Sequence, residues 1–322
     1  MRGIILMNVG TPAKCEKADV QKFIGDMLAD PLVMGKPEWI SSLLARNIIA
    51  PLSASKSLKK YQLIWRKEVP AFSPITYYLQ NLADKLEKQK NVPVEIAMRY
   101  GEPSFSDALE KLEKRCPLLH ELIVFPMYPH YAQSTTQTAI DEVGRIFYKY
   151  PHSFRLKIVS PYYKHPAYIK ALADFAKPYL EKDLDRIVFC YHSLPINQIE
   201  EARQKGKEFD YVYQLKETNH LLAEQLEIAP NKIIVLYSSQ RSDNWIKPYL
   251  NKEIGDLPRM GWKKIAVMAP GFLIDNMETL YDINIEAREL FLKDGGEDFT
   301  FIPCLNDSDL AVESIWKIIS GV

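Results

Sequence analysis

The sequence predicts an α/β protein of two similar doubly wound halves, each a parallel sheet flanked by helices. Three observations carry this. Short apolar runs, bounded by Gly, Pro and polar residues, alternate with stretches of helical periodicity along the whole chain. The alternation starts afresh after a break at Ser160-Pro161. The 322 residues are 47% hydrophobic, ample for packed cores and too apolar for disorder. Alternation of this kind places successive strands parallel in one sheet.

The elements follow in order. Residues 3–9 form a buried strand that ends in Asn8-Val9-Gly10-Thr11-Pro12, a turn sequence. Residues 18–28 form a helix. Residues 39–49, WISSLLARNII from Trp39 to Ile49, are apolar and aromatic and are closed by Ala50-Pro51. They read either as an internal helix or as an apolar lip over a pocket or on a membrane surface. A helix over 75–89 leads to a strand over 94–98, which ends at Arg99-Tyr100-Gly101. A helix over 105–114 precedes a strand over 121–125 and the turn Pro126-Met127-Tyr128-Pro129-His130-Tyr131. The helix over 134–148 opens on Ser134, Thr135 and Thr136, all able to cap it. A strand over 156–159 closes the first half.

In the second half a helix spans 166–180. The strand 186–191 ends at His192-Ser193-Leu194-Pro195. Residues 197–210 form a loop and the start of a helix, and 211–226 a helix. The strand 232–237 runs into Ser238-Ser239-Gln240-Arg241. Residues 248–256 are helical, 264–269 are a strand, and a helix enters from Asp275. The strand 299–303 and the helix 307–319 complete the chain.

Composition narrows the function. Lys+Arg and Asp+Glu both number 41, so there is no net charge to attract nucleic acid generally. Cys15, Cys116, Cys190 and Cys304 are far apart, without zinc spacing, and read as small buried apolar residues of a reducing cytosol. MRGIILMNVG is too soon interrupted for a signal peptide and reads as the first strand. No apolar run approaches membrane-spanning length. The chain lacks GxGxxG, Walker and GxSxG motifs, which counts against a nicotinamide dehydrogenase, a phosphate-cradling enzyme and an α/β-hydrolase.

Two places offer chemistry. After the strand VMAPGF, Glu278, Asp282 and Glu286 recur every four residues. In an α-helix that step is about 40° beyond a full turn, so the acids climb one face. The same spacing is what a solvated face produces, and Asp275 with Glu278 also fits a capping box. What favours chemistry is the lead-in, which puts Glu278 at the carboxyl edge of a sheet, where ligands bind in open α/β folds. His192 also ends a buried strand. Such a histidine is either packed or placed to work. An imidazole and a carboxylate at strand ends suit a borderline divalent metal such as Fe(II), or proton transfer near neutral pH. The acids beyond Glu278 would conduct protons or guide cations. His130 is a weaker candidate, and no histidine pair shows metal spacing.

The sequence resembles the ferrochelatases nearly from end to end. LMNVGTP, YQLIWRKEVPAFSPITYYLQ, AMRYGEP, FPMYPHYAQSTTQT, VYQLKETNHLLAEQL, WIKPYL and METLYD follow that family's signature segments in order and spacing. The family's Ser-x-His-Gly-x-Pro falls on CYHSLP, with Cys190 for the serine and Ser193 for the glycine. Its Gln-Ser-x-x-Gly-Pro falls on YSSQRSDNW, with Tyr237 at the glutamine and no Gly-Pro. The resemblance implies Fe(II) insertion into a porphyrin held in a cleft between two domains, residues 1–160 and 161–306, with the helix 307–320 packing back on the first. It implies His192 and Glu278 as catalytic and metal-holding residues, and Asp282 and Glu286 as a proton or metal path. Arg99 would pair with a propionate, and Tyr100, Tyr128 and Trp245 would line the ring. Fe(II) is then a substrate, with no permanently bound cofactor and no iron–sulfur cluster, since the cysteine-rich tail of some members has no counterpart. Expected partners are the porphyrin and enzymes of the haem pathway, not nucleic acid. The expected place is the cytoplasm, with peripheral contact to the membrane's inner face through Trp39–Ile49. Two alternatives stay open: a tetrapyrrole-binding or haem-delivery protein without turnover, and a chelatase of the same fold for another metal or tetrapyrrole.

Overall fold

A strand with helices on both sides of its sheet is buried on both faces and needs a continuous apolar run. Eight strands pair among the described residues; the inner strands are largely such runs, while the edge strands Arg155–Ile158 and Asp298–Phe301 are short and only partly buried. The described residues in this computed structural model are 1–67 and 72–321. Residues 68–71, inside YQLIWRKEVPAFSPITYYLQ, and residue 322 lie outside them. The strands are β1 (Arg2–Gly10), β2 (Val94–Tyr100), β3 (Glu121–Pro126), β4 (Arg155–Ile158), β5 (Arg186–His192), β6 (Ile233–Ser238), β7 (Lys264–Met268) and β8 (Asp298–Phe301). All pairings are parallel, in the orders β2-β1-β3-β4 and β6-β5-β7-β8. Each sheet therefore reverses its direction of winding beside its first strand, at β1/β3 and at β5/β7. Such a reversal opens a crevice at the carboxyl ends of the strands.

The chain divides into two compact units, Met1–Pro161 with the residues from Trp316 onward, and Tyr162–Ile315. In the first, Ile5, Met7 and Val124 of the sheet pack on Phe105, Leu109 and Leu112 of the helix Phe105–Arg115. That helix begins with a capping box between Ser104 and Asp107 and ends in Lys114 and Arg115, the charges its dipole favours. In the second unit Val188, Ile265 and Val267 pack on Ile283, Ala287 and Phe291. The acid-bearing helix is thus fastened to its sheet by its apolar face.

Several elements depart from the sequence reading. β2 continues through Arg99 and Tyr100. Ala50-Pro51 does not stop the preceding helix: Glu38–Leu44 passes through a π-helical turn, Ala45–Ile49, into the helix Ala50–Ile64. Proline lacks an N–H and crowds the preceding turn. The wider turn just before Pro51 relieves that crowding. Nor is this an internal helix: Ala45, Ala50 and Ala54 face inward, while Trp39 is 71% exposed and Leu52 79%. The helix from the Ser134 region likewise starts with a π turn, Gln133–Gln137, before Thr138–Phe147, and no hydroxyl caps its first amides. Residues Ile196–Arg203 are already helical, and only Leu250–Glu253 of the 248–256 stretch forms an α-helix. Cys15 is only partly buried, unlike the other three cysteines.

Gly10 ends β1 at φ +108°, and a Cβ there would lie 1.7 Å from the carbonyl oxygen of Tyr100. Both the left-handed backbone and the clash with main chain penalise any side chain. Gly10→Ala should cost at least about 2 kcal/mol, read as a lower urea midpoint with an unchanged slope. A midpoint equal to the parent's would refute this account of the β1 edge.

Candidate active site

Three chain segments meet at the carboxyl edge of the second sheet. β5 brings His192, its register partner on β6 is Ser238, and the chain after β7 brings Glu278. His192 Nδ1 lies 2.6 Å from Glu278 Oε2. Ser238 Oγ donates a short hydrogen bond to Oε1, and Ser239 Oγ donates to Oε2 at 3.0 Å. Two carboxylate oxygens thus receive three donors. Glu278 is 9% exposed, while the His192 side chain is 39% exposed. The carboxylate anchors the site, and the imidazole carries it towards solvent.

Burial by itself would raise the carboxyl pKa. The charge of a protonated His192 and the bonds from His192, Ser238 and Ser239 outweigh it, so Glu278 sits below the usual carboxylate value. With a carboxylate at Nδ1, that nitrogen carries the ring proton. Nε2 of the neutral ring is then a lone-pair donor, able to take a proton or meet a metal ion.

The neighbouring backbone is pinned. Tyr211 OH donates to the His192 carbonyl at 3.0 Å, and the Ser193 amide donates to the Ser238 carbonyl at 2.9 Å. Trp245 stands edge-on to His192, ring centres 6.3 Å apart, with its carbonyl held by Tyr249 OH at 3.1 Å. Burial pushes up the pKa of the Cys190 thiol, two residues before His192 in β5, so this residue is an inert part of the wall.

The capping box expected of Asp275 and Glu278 is not formed by that pair. Asn276 Oδ1 accepts from the Glu278 amide at 2.8 Å and the Thr279 amide at 3.4 Å, and Thr279 Oγ1 accepts from the Asn276 amide at 3.0 Å. Asn276 and Thr279 make the reciprocal cap, a feature worth about 1 kcal/mol. Asp275 is buried and ties the turn to the segment after β8, accepting from Thr279 Oγ1, the Cys304 amide and Asn306 Nδ2. Glu278 is left free for His192. The helix is not α either: Glu278–Ala287 is a π-helix, followed by α-helical Arg288–Lys293. With i→i+5 bonds a turn holds more than four residues, so a four-residue step falls short of a turn instead of passing it. The acids still neighbour one another, with the opposite drift. Asp282 Oδ2 lies 3.3 Å from Ser239 Oγ, and Glu286, nearer the surface, accepts from Asn251 Nδ2 at 3.0 Å.

Arg99, Tyr100 and Tyr128 lie together in the first unit, at the carboxyl edge of its own sheet. Arg99 donates to Asp30 Oδ2 at 2.6 Å and to the Thr138 carbonyl at 2.9 Å, with Glu142 at 3.9 Å. Tyr100 OH donates to the same Asp30 oxygen at 2.9 Å. The Tyr128 hydroxyl is buried with no hydrogen-bond partner among the described residues. Burial drives His130 down to about 3, so this histidine is neutral at any ordinary pH. Sequence reasoning did not single out Ser238, Ser239, Asn276, Thr279 or Tyr211 for a role. Only the strand-end position of Ser238-Ser239, opposite His192, was a signal that could have found two of them. Among the described residues, no group of three or more His, Cys, Asp and Glu is arranged to hold a metal ion.

Fold and site together define a chelatase-like protein, with two doubly wound units and a histidine–carboxylate pair at a sheet's switch point. Its structure is similar to that of SirB from Bacillus subtilis, solved with Fe3+ (TM-score 0.57, 13% identity, 99% of this chain and 94% of that one). It is also similar to a Deinococcus radiodurans multi-domain protein described as resembling chelatases (TM-score 0.53, 12% identity, 77% of this chain and 51% of that one). At such identities the likeness is one of fold. The chain belongs to the ferrochelatase family, whose model matches residues 1–321. Relatives named ferrochelatase include those of Vibrio atlanticus (33% identity over 99% of this chain and 97% of that one) and Vibrio cholerae (34% over 98% and 97%). Another, from Francisella tularensis subsp. novicida, is 33% identical over 99% of this chain and 95% of that one.

Because Glu278 is held below its unfolded pKa, the stability it supplies is complete above about pH 4.3 and is lost as pH falls through the folded value. Glu278→Gln should cost about 2 kcal/mol at pH 7. The gap to the parent should close as pH falls towards 3, measured by urea unfolding across that range. A gap independent of pH would contradict the paired carboxylate.

Proposed function

We propose that this chain inserts Fe(II) into a free-base porphyrin in haem synthesis, releasing two protons. The observation that carries the reading is the imidazole of His192, fixed at Nδ1 by a buried carboxylate while its side chain stays partly exposed. A free-base porphyrin keeps two protons on its pyrrole nitrogens, and the iron takes the plane only when both have left. His192 Nε2 accepts a pyrrole proton or holds the incoming ion. Glu278 stabilises the imidazolium that results, as a hydrogen-bonded carboxylate does for a charged base. Asp282 and Glu286 continue towards the surface as a path for protons or cations. Trp245, beside the imidazole, offers an aromatic contact for the ring.

The ring and propionate contacts of Arg99, Tyr100 and Tyr128 are part of the same proposal. A propionate at Arg99 would compete with Asp30 and Glu142 for the guanidinium, favouring exchange of one carboxylate for another over capture by an idle cation. Deformation of the flat macrocycle, which exposes its nitrogen lone pairs, would draw on binding energy from ring faces and propionates.

We also propose peripheral membrane contact through Trp39–Ile49. No helix among the described residues is long and apolar enough to cross a membrane. Trp39, Leu43, Ile48, Leu52 and Leu63 are exposed along consecutive helical segments, with Lys56, Lys59 and Lys60 nearby. Such a surface suits the boundary of an anionic bilayer. Replacing Trp39 and Leu52 by Ser should abolish sedimentation with anionic liposomes and leave metal insertion unchanged. Equal sedimentation of both proteins would dismiss this contact.

The central test is anaerobic Fe(II) insertion followed by porphyrin absorbance. His192→Ala should lower kcat about 100-fold or more while porphyrin still binds. Turnover near the parent's would remove His192 from the chemistry. A parent protein that binds porphyrin and never metallates it would favour the haem-delivery alternative, whose motive is the departures in CYHSLP and YSSQRSDNW.

A further inference from the structure

Ser239 occupies a backbone conformation that its residue type disfavours. Its φ is +60°, left-handed, at the turn that leaves β6. Glycine adopts that conformation freely, and serine does so at a cost. A strained residue persists where its side chain contributes something. Ser239 Oγ lies 3.0 Å from Glu278 Oε2 and 3.3 Å from Asp282 Oδ2. A serine hydroxyl has one proton to donate and two lone pairs that accept. That proton cannot serve both carboxylates at once. Ser238, by contrast, reaches Glu278 and the Tyr191 carbonyl, which cannot take up a proton at ordinary pH. Of the two serines, only Ser239 joins one acid to the next.

We infer that Ser239 is a proton-passing and positioning residue linking Glu278 to Asp282. The step balances without any further reactant. A protonated Glu278 donates its hydrogen to Ser239 Oγ as the Ser239 hydroxyl hydrogen passes to the Asp282 carboxylate. One O–H bond breaks on Glu278 and one forms on Ser239. The original serine O–H bond breaks and one forms on Asp282. Serine ends neutral, rotated to point back at Glu278. The strained turn keeps Oγ between the two acids, a place that a relaxed backbone would not hold. This inference rests on the porphyrin-metallation reading above: once His192 Nε2 has taken a pyrrole proton, the imidazolium gives up its Nδ1 proton to Glu278 Oε2, 2.6 Å away, and returns to the neutral ring.

Ser239→Gly separates the hydroxyl from the backbone, because glycine relieves the strain that serine bears. In the full chain, this variant should have a Tm equal to or about 2 °C above the parent's. Its kcat for Fe(II) insertion should fall about tenfold, with KM for porphyrin within twofold. Ser239→Ala should lose kcat similarly, without the gain in Tm. Combining Ser239→Gly with Asp282→Asn should lower kcat no further than the worse single variant, since both cut one path. A Ser239→Gly protein with kcat within twofold of the parent's overturns the inference. So does a loss of kcat matched by a lower Tm, or a double variant whose losses multiply. If His192→Ala is inactive while Ser239→Gly keeps its rate, the inference fails alone. If His192→Ala keeps the parent's rate, the metallation reading beneath it fails.

Discussion

A carboxylate taken out of water must be repaid with hydrogen bonds, and the second unit is built around that demand. Glu278 receives His192, Ser238 and Ser239 on its two oxygens. Bonds to an ionised acceptor are the strong ones, and they hold the group ionised although burial opposes it. The same bonds tie together the end of β5, the end of β6 and the helix after β7. A chemical centre and a structural joint therefore coincide. Removing His192 or Ser238, whose bonds to Glu278 are the shorter ones, leaves a partly satisfied buried charge, which is more costly than the value of an average hydrogen bond, whereas at Ser239 the relief of backbone strain offsets that cost.

Two features of the chain serve that joint. Asn276 and Thr279 cap the helix start, so the carboxylate three residues after Asp275 is not spent on orphan amides. Asp275 ties the turn to Cys304 and Asn306, which fixes where the helix begins relative to its own sheet. Ser239 stands in a left-handed conformation within reach of both Glu278 and Asp282. Local stability is given up at this turn, and a hydroxyl between two acids is what results. The π winding then carries the acids from the buried Glu278 to Glu286, which meets Asn251 at the surface.

The first unit uses the same sheet order and sends its own polar residues to the same edge, with a different outcome. There Asp30 gathers Arg99 and Tyr100, and Thr138 and Glu142 complete the group around the guanidinium. One unit presents a half-exposed imidazole, the other a cation already surrounded by carboxylates. The shared architecture supplies the edge in both cases, and the side chains decide what each edge can do.

The amino-acid sequence by itself determined the parallel strands and the strand-end placing of His192. Strands covered on both faces need unbroken apolar runs, and a run such as RIVFCY followed by a polar residue announces its own end. It also carried the ordered family segments, and with them Glu278. Tertiary structure alone decided the rest. Asp30 is 69 residues from Arg99, a separation at which no spacing rule operates. Spacing of 278, 282 and 286 fits α and π winding alike, so the hydrogen-bond pattern had to be chosen by packing on the sheet. The capping role was open to Asp275 with Glu278 or to Asn276 with Thr279, and burial of Asp275 against Asn306 selected the second pair. Ser239 is an ordinary loop residue until the fold sets it between two acids from a helix about forty positions further along the chain, because proximity across elements is created only when the sheet closes.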